Sequence, residues 1–260
     1  MSSEGTKGTR TRLYLIRHGE AVSNVEPIIG GMRGDTGLTP RGMEQAGRLR
    51  DRLAATGEIA ADVLIASTLS RARQTAETIA PALGVPITWD DEVHEMRPGE
   101  ADGMSWNDYA ERFGIPDFEQ EPFRPLAPGG ESWATFMLRV ASSLDRISKE
   151  YAGKTVVVVC HGGVIDGSFL YFFGVNILPR PGVEFYTRNT SITQWERHER
   201  VDRSPRWRLV RYNDDAHLDG MPPRPPRDWE APSTGSVDDA DDGDGADSAV
   251  PLPTEEPIDE

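Results

Sequence analysis

Three short stretches place arginine or histidine directly after a run of apolar residues. Residues 13–18 read LYLIRH, residues 63–71 read VLIASTLSR, and residues 156–161 read VVVVCH. Arginine offers paired N–H donors that match the oxygens of a phosphoryl group, and histidine can donate to the same group. These stretches supply Arg17, His18, Arg71 and His161. Together these side chains could bind the phosphoryl group of a phosphate ester.

The elements expected around these residues alternate between strand and helix. Apolar runs predict strands at 12–17, 62–67, 85–89, 155–160, about 185–195 and 206–212. Apolar spacing and capping residues predict helices at 40–55, 69–83, 106–113, 133–151 and from about Gly163 onward. This alternation predicts a three-layer α/β/α sandwich around a mostly parallel sheet, with the last two strands as an antiparallel edge.

The expected sheet would bring these arginines and histidines close together. In open α/β sheets, ligands bind outside the carboxyl ends of the parallel strands. Because each of the three stretches ends a predicted strand, we expect their arginines and histidines to meet at one rim of the sheet.

Composition divides the chain into a near-neutral body and an acidic tail. We expect a flexible N-terminus over residues 1–11 and a single domain over residues 12–213. Residues 214–260 hold 15 acidic and 2 basic residues, in a chain whose formal net charge is −15. Their richness in proline, aspartate and glycine predicts a disordered tail. If the protein is an enzyme that works independently of this tail, deletion of residues 214–260 should leave its turnover intact.

Composition also excludes several classes of protein. No basic stripe suggests a nucleic-acid partner, and no stretch approaches the ~20 apolar residues of a membrane-spanning helix. The polar start lacks the apolar segment of a secretory signal, and the single cysteine, Cys160, cannot form an intrachain disulfide. We expect a soluble cytoplasmic protein that acts on a small-molecule phosphate ester. Its oligomeric state is open, with a homodimer as one option.

The ordered set of motifs resembles the histidine phosphatase superfamily, which includes the phosphoglycerate mutases and related phosphatases. The matching stretches run in the family's order over about residues 12–195, and they are LIRHGEAVSN, GLTPRGMEQA, IASTLSRARQTAETIA, HEMRPGEADGMS, VVVVCHGGVI and NTSIT. The resemblance implies the histidine phosphatase (phosphoglycerate mutase-like) fold. It also implies phosphoryl transfer through a phosphohistidine, without a cofactor. The histidines show no metal-ligand spacing, so we expect no metal.

The resemblance implies a role for each of several residues. His18 matches the nucleophile, and a neutral imidazole suits that role because its unperturbed pKa of about 6.5 leaves a lone pair free near neutral pH. His161 matches the second histidine, which donates to the phosphoryl group. Further matches to donors for the phosphoryl oxygens are Arg17, Asn24 and Arg71.

The remaining implied roles fall on a carboxylate and on glycines. Glu95 matches the general acid and base, with Glu100 and Asp102 as alternatives in the same loop. Gly19 would remove a side chain where the phosphate must approach closely. Backbone amides that would add phosphate contacts are those of Gly30, Gly31 and Gly162.

Three departures from the mutase pattern favour a phosphatase. Ser23 and Asn24 stand where mutases carry a tryptophan–asparagine pair, and Met32 stands where their next tryptophan would be. The mutases' tyrosine–glycine pattern is also missing after Glu95. A phosphoglycerate mutase dependent on a bisphosphoglycerate cofactor is therefore the alternative. An interaction module with the same fold and no catalysis is a further alternative.

Other chemistry-bearing residues have simpler interpretations. His94 is expected to be a loop residue, and His198 and His217 surface residues. Arg73 is expected to pair with Glu77, four residues further along the same helix.

Overall fold

The strands form one sheet whose order brings the three chemistry-bearing strand ends side by side. The computed structural model describes residues 10–178, 180–183, 185–200 and 203–224. The strands in these ranges are β1 (Arg10–Arg17), β2 (Val63–Ala66), β3 (Ile87–Trp89), β4 (Thr155–Cys160), β5 (Ile192–Arg200) and β6 (Arg203–Asp214). Their order is β3-β2-β4-β1-β5-β6. The first four pair in parallel and the last two antiparallel, which confirms the predicted sheet.

Helices cover both faces of this sheet. The α-helices of the described ranges are α1 (Val22–Val25), α2 (Pro40–Thr56), α3 (Ser70–Leu83), α4 (Trp106–Phe113), α5 (Trp133–Glu150) and α6 (Gly162–Phe173). Leu15 of β1 lies in one apolar core with Val140 of α5, while its neighbour Ile16 lies in a second core with Leu49 of α2. Successive strand residues point to opposite faces, so both faces of the sheet are covered and the predicted three layers are confirmed. Within the described ranges, no helix is long and apolar enough to cross a membrane.

The first turn of α2 packs tightly against the chain that follows β1. The Thr39 hydroxyl accepts a hydrogen bond from the Gly42 amide at 3.0 Å, so Thr39 is the N-cap of α2. A side chain on Gly42 would place its Cβ 2.0 Å from the Glu20 carbonyl oxygen. This close approach fixes the position of the segment directly after His18.

The fifth strand begins later than the sequence pattern predicts. Residues 185–191 were expected to be strand, but β5 starts at Ile192. Thr190 takes a positive φ of 58°, and its amide donates to the Arg17 carbonyl at 3.0 Å. The preceding residues therefore form a loop over the carboxyl end of β1 instead of extending the sheet.

The folded body extends beyond residue 213. β6 runs to Asp214, whose carboxylate accepts hydrogen bonds from Arg52 and Arg211, and a short 3-10 helix follows at Ala216–Leu218. The assignment of 214–224 to a disordered tail is therefore wrong, because these residues have ion-pair and backbone partners in the body. Likewise, residues 10 and 11 belong to β1. Residues 1–9 and 225–260 lie outside the described ranges, so the predicted flexible start and tail stay predictions there.

Candidate active site

The carboxyl ends of β1 and β4 bring the two histidines together. Arg17, the last residue of β1, lies opposite Cys160 in the parallel register, and the His18 amide donates to the Cys160 carbonyl at 3.0 Å. The ring centroids of His18 and His161 are 5.1 Å apart. Neither ring is exposed, and the sequence-predicted meeting of these strand ends is present in the structure.

Hydrogen bonds fix which nitrogen of His18 carries a lone pair. Nδ1 lies 2.7 Å from the Gly19 carbonyl oxygen, which can only accept, so Nδ1 carries the proton. Nε2 then presents its lone pair, and Nε of Arg71 donates to it at 3.1 Å. The neutral imidazole is thus oriented with its nucleophilic nitrogen toward a guanidinium.

Arg71 is held at the start of α3 by a buried carboxylate that the sequence analysis did not single out. Asp35 accepts from the Arg71 backbone amide at 3.1 Å and lies 3.2 Å from its Nη1. Nη1 also donates to the Gly30 carbonyl at 2.8 Å. Both charged side chains are almost fully buried, so the position of this guanidinium is fixed before any ligand binds.

The other two strand-end residues also have protein partners. Arg17 donates from Nη1 to the Thr187 carbonyl of the loop over β1. The Nε2 atom of His161 lies 2.8 Å from the Ser67 hydroxyl, just after β2. Ser67 therefore contributes the third of the three adjacent strand ends.

Asn24 lies in α1, and Gly31 lies in the loop that follows α1. Asn24 is buried in α1, and its side-chain oxygen accepts from the Ala21 amide at 2.9 Å. The Gly31 amide donates to Asp102 at 3.0 Å. A phosphate contact from Gly31 would have to replace that bond.

The three candidate acids occupy different environments. Glu95 is buried, and its carboxylate accepts from the amides of Met96 at 2.9 Å and Gly163 at 3.0 Å. Asp102 accepts from backbone amides of the 31–34 loop, and Glu100 pairs with an exposed arginine. Glu95 is therefore the carboxylate that the fold holds at the start of α6, directly after His161.

Two glycines near the histidine pair lie where neighbouring protein atoms leave no room for a side chain. A Cβ on Gly19 would lie 2.6 Å from the Gly42 carbonyl oxygen, so protein backbone, and not only a phosphate, excludes a side chain there. A Cβ on Gly163 would lie 2.4 Å from the Glu95 carboxylate. Gly162 is the first residue of α6. The glycine that leaves room for the Glu95 carboxylate is its neighbour Gly163, to which the sequence analysis assigned no role.

The loop before β5 supplies two site residues that the sequence analysis recognised only as part of the NTSIT motif. Asn189 donates to the His18 carbonyl at 3.0 Å, and the Thr190 amide donates to the same oxygen at 3.2 Å. A β-branched residue at positive φ is strained, and such strain persists only where the surroundings enforce it. This loop therefore fixes the backbone at His18.

Two of the histidines outside the pair, His94 and His217, lie close to side-chain hydroxyl groups. His94 is buried, lies 2.7 Å from the Thr68 hydroxyl, and has its pKa lowered by burial. His217 lies 2.8 Å from the Thr190 hydroxyl, and burial, with a smaller contribution from Arg52, lowers its pKa to about 4. The interpretation of His217 as a surface residue is therefore wrong, because its side chain is half-buried and bonds to the loop before β5.

The fold and the motifs place the chain in a family. The sequence profile of the histidine phosphatase superfamily (branch 1) matches residues 13–215. The chain belongs to this superfamily, as the ordered motifs indicated.

Relatives of the chain include phosphatases and mutases. The bifunctional protein Rv2228c of Mycobacterium tuberculosis is 38% identical over 160 residues, which is 60% of this chain and 43% of that protein, so the chain spans less than half of this relative. A 2,3-bisphosphoglycerate-dependent phosphoglycerate mutase of Methylobacterium is 30% identical over 182 residues, 67% of this chain and 86% of the mutase. The solved structure of a phosphoserine phosphatase mutant from Entamoeba histolytica superposes with a TM-score of 0.64 at 27% identity, covering 80% of this chain and 99% of that one.

Proposed function

We propose that the protein is a metal-independent phosphomonoester hydrolase that works through a phosphohistidine on His18. The observation that carries this proposal is the orientation of His18, with its Nε2 lone pair directed at the Arg71 guanidinium and its Nδ1 proton bound by the Gly19 carbonyl. A neutral imidazole held in this way is a nucleophile beside a phosphate-binding cation.

The first chemical step forms a bond from His18 Nε2 to phosphorus and breaks the ester P–O bond. Arg17, Arg71, His161 and Asn24 donate to the phosphoryl oxygens, since phosphoryl transfer depends mainly on alignment and on donors aimed at the equatorial oxygens. Glu95 enters this step as the protonated carboxylic acid and gives its proton to the departing oxygen, which leaves as an alcohol, so that Glu95 ends the step as a carboxylate.

The second step returns His18 to its starting state. A water molecule attacks phosphorus, Glu95 takes a proton from that water, and the P–N bond breaks to release inorganic phosphate. One carboxylate thus serves as acid and then as base, and such assistance contributes typically about 10²–10⁴-fold to the rate.

A screen of phosphorylated metabolites with the purified full chain tests the hydrolase proposal. The matched control is His18→Ala, which removes the nucleophile. We expect phosphate release from at least one ester by the wild type, and a loss of more than about 10³-fold in the control. Equal hydrolysis by the control would show that the activity belongs to another site.

A phosphoglycerate mutase is the second candidate, favoured by the 30% identity with the Methylobacterium mutase. A mutase must shield its phosphohistidine from water and return the phosphoryl group to a bound glycerate. Interconversion of phosphoglycerates that requires 2,3-bisphosphoglycerate, without release of inorganic phosphate, would establish it. Met32 stands where the mutases' second tryptophan would be, and this departure from the mutase pattern supports the hydrolase.

A further inference from the structure

A short segment after the family-matched domain packs back onto the start of α2. The profile match ends at residue 215. Arg48 donates to the Asp219 carbonyl at 3.2 Å and Arg41 donates to the Pro222 carbonyl at 2.7 Å. We name residues 216–224 the C-terminal strap.

The strap ends in an arginine that contacts the loop after His18. The Nε atom of Arg224 lies 3.3 Å from the Glu20 carboxylate, and its Nη2 donates to the Asn24 carbonyl. Only 6% of the Arg224 side chain is exposed. A single guanidinium therefore links both ends of residues 20–24, the catalytic loop.

The ion pair between Arg224 and Glu20 stabilises the catalytic loop because the Glu20 carboxylate is buried. The Glu20 side chain is 4% exposed, and its second oxygen accepts from the Thr39 hydroxyl at 2.7 Å. The next cation, Arg41, is 3.8 Å from Glu20. A buried carboxylate that loses its closest counter-ion is strongly disfavoured, so the loop would rearrange toward water.

The second contact acts on Asn24 directly. Its carbonyl lies in the last turn of the four-residue helix α1, and the amide four residues further along, that of Ile28, donates to the Glu26 carbonyl instead. Because Arg224 bonds this carbonyl, it fixes the backbone that carries the Asn24 side chain. Lysine could neutralise Glu20, but a point charge cannot reproduce the two-armed contact.

We infer that Arg224 is a positioning residue of the phosphate site. It acts through Glu20 and Asn24, and it places the Asn24 amide where it meets the transferred phosphoryl group. This inference rests on the proposed function, since it assigns Asn24 to phosphate binding.

Full-chain Arg224→Ala and Arg224→Lys variants test this role, with kcat, KM and the inhibition constant of inorganic phosphate as readouts. We expect Arg224→Ala to lower kcat/KM by about 10–100-fold and to weaken phosphate inhibition, because small misplacements near the chemistry cost that much. Arg224→Lys should recover thermal stability but only part of kcat/KM. The matched control is Arg50→Ala, which removes an exposed arginine of α2 whose ion-pair partner among the described residues is its neighbour Asp51. It should match the wild type.

A double-mutant cycle tests whether Arg224 acts through Asn24. If it does, adding Arg224→Ala to Asn24→Ala should cost little beyond Asn24→Ala alone, since the positioned group is already gone. Fully additive losses would overturn the inference. So would an Arg224→Ala protein with a lowered melting temperature but wild-type kcat/KM and phosphate inhibition. A wild-type protein that releases phosphate from no ester would instead overturn the proposed function.

Discussion

At the scale of single residues, the site depends on hydrogen bonds that orient groups before a ligand binds. The Gly19 carbonyl sets the tautomer of His18, Asp35 fixes Arg71, and the Gly163 amide holds Glu95. Groups held in this way need little reorganisation during the reaction, which is how enzymes stabilise charge in a transition state.

Glu95→Gln tests the acid–base assignment. The amide cannot give a proton to a leaving alkoxide, so kcat/KM should fall about 10²–10⁴-fold for alkyl phosphates. The loss should be much smaller for a nitrophenyl phosphate, whose leaving group needs no proton. The dependence of kcat/KM on leaving-group pKa measures this. Glu100→Gln, in the exposed pair with Arg112, is the control and should behave as the wild type.

Asp35→Asn tests the positioning of Arg71. Removing one charge of a buried pair costs about 3–5 kcal/mol of stability, and the freed guanidinium should no longer be held against His18. We expect a lowered melting temperature together with at least a tenfold loss in kcat/KM. The control is Glu77→Gln, which breaks an exposed ion pair on the same helix. Glu77 lies 3.1 Å from Arg73, and this pairing was predicted from the sequence. The control should change neither the melting temperature nor kcat/KM. Wild-type kinetics in Asp35→Asn would contradict the assignment.

At the scale of elements, the sequence predicted most of the regular structure. The apolar run of β4 and the helical spacing in α5 are strong local signals, and both elements lie where predicted. The start of β5 was predicted wrongly, because the hydrogen bonds that turn residues 185–191 into a loop come from β1, which is distant in sequence. Asp35 and Gly163 were missed for the same reason, since only their tertiary partners reveal their roles.

His217→Gln tests the contact between the 3-10 helix at Ala216–Leu218 and the loop before β5. Burial lowers the pKa of His217 to about 4, below the ~6.5 of an unfolded chain. Between these values the unfolded state binds more protons, so stability should fall as the pH drops from 6.5 to 4. Melting temperatures across this range should decline less steeply in His217→Gln. An unchanged slope would contradict the burial of this imidazole.

At the scale of the whole molecule, the boundary of the folded unit depends on contacts that composition does not show. Acidic residues in 214–224 resemble those of the tail that follows, but Asp214 is part of an ion-pair network with Arg52, Glu58 and Arg211. Hydrogen bonding to Arg52 holds the pKa of Asp214 well below its usual range. The folded unit therefore includes the strap.

Two truncations test this boundary. A chain that ends at residue 224 should keep the melting temperature and kcat/KM of the full protein, because the ion pairs and the strap are retained. A chain that ends at residue 213 loses Asp214 and Arg224, and it should melt several degrees lower with reduced kcat/KM. Thermal melts and steady-state kinetics measure both effects. Identical behaviour of the shorter chain would show that residues 214–224 contribute nothing.

The central claim is that His18 carries the phosphoryl group during turnover. Rapid acid-free quenching of the enzyme with a phosphate ester labelled in its phosphoryl group, followed by peptide mapping, measures this directly. We predict an acid-labile, base-stable phosphoryl group on His18 that forms and decays at least as fast as turnover and is absent from His18→Ala. Turnover without any label on the protein, or with the label on another residue, would contradict the account.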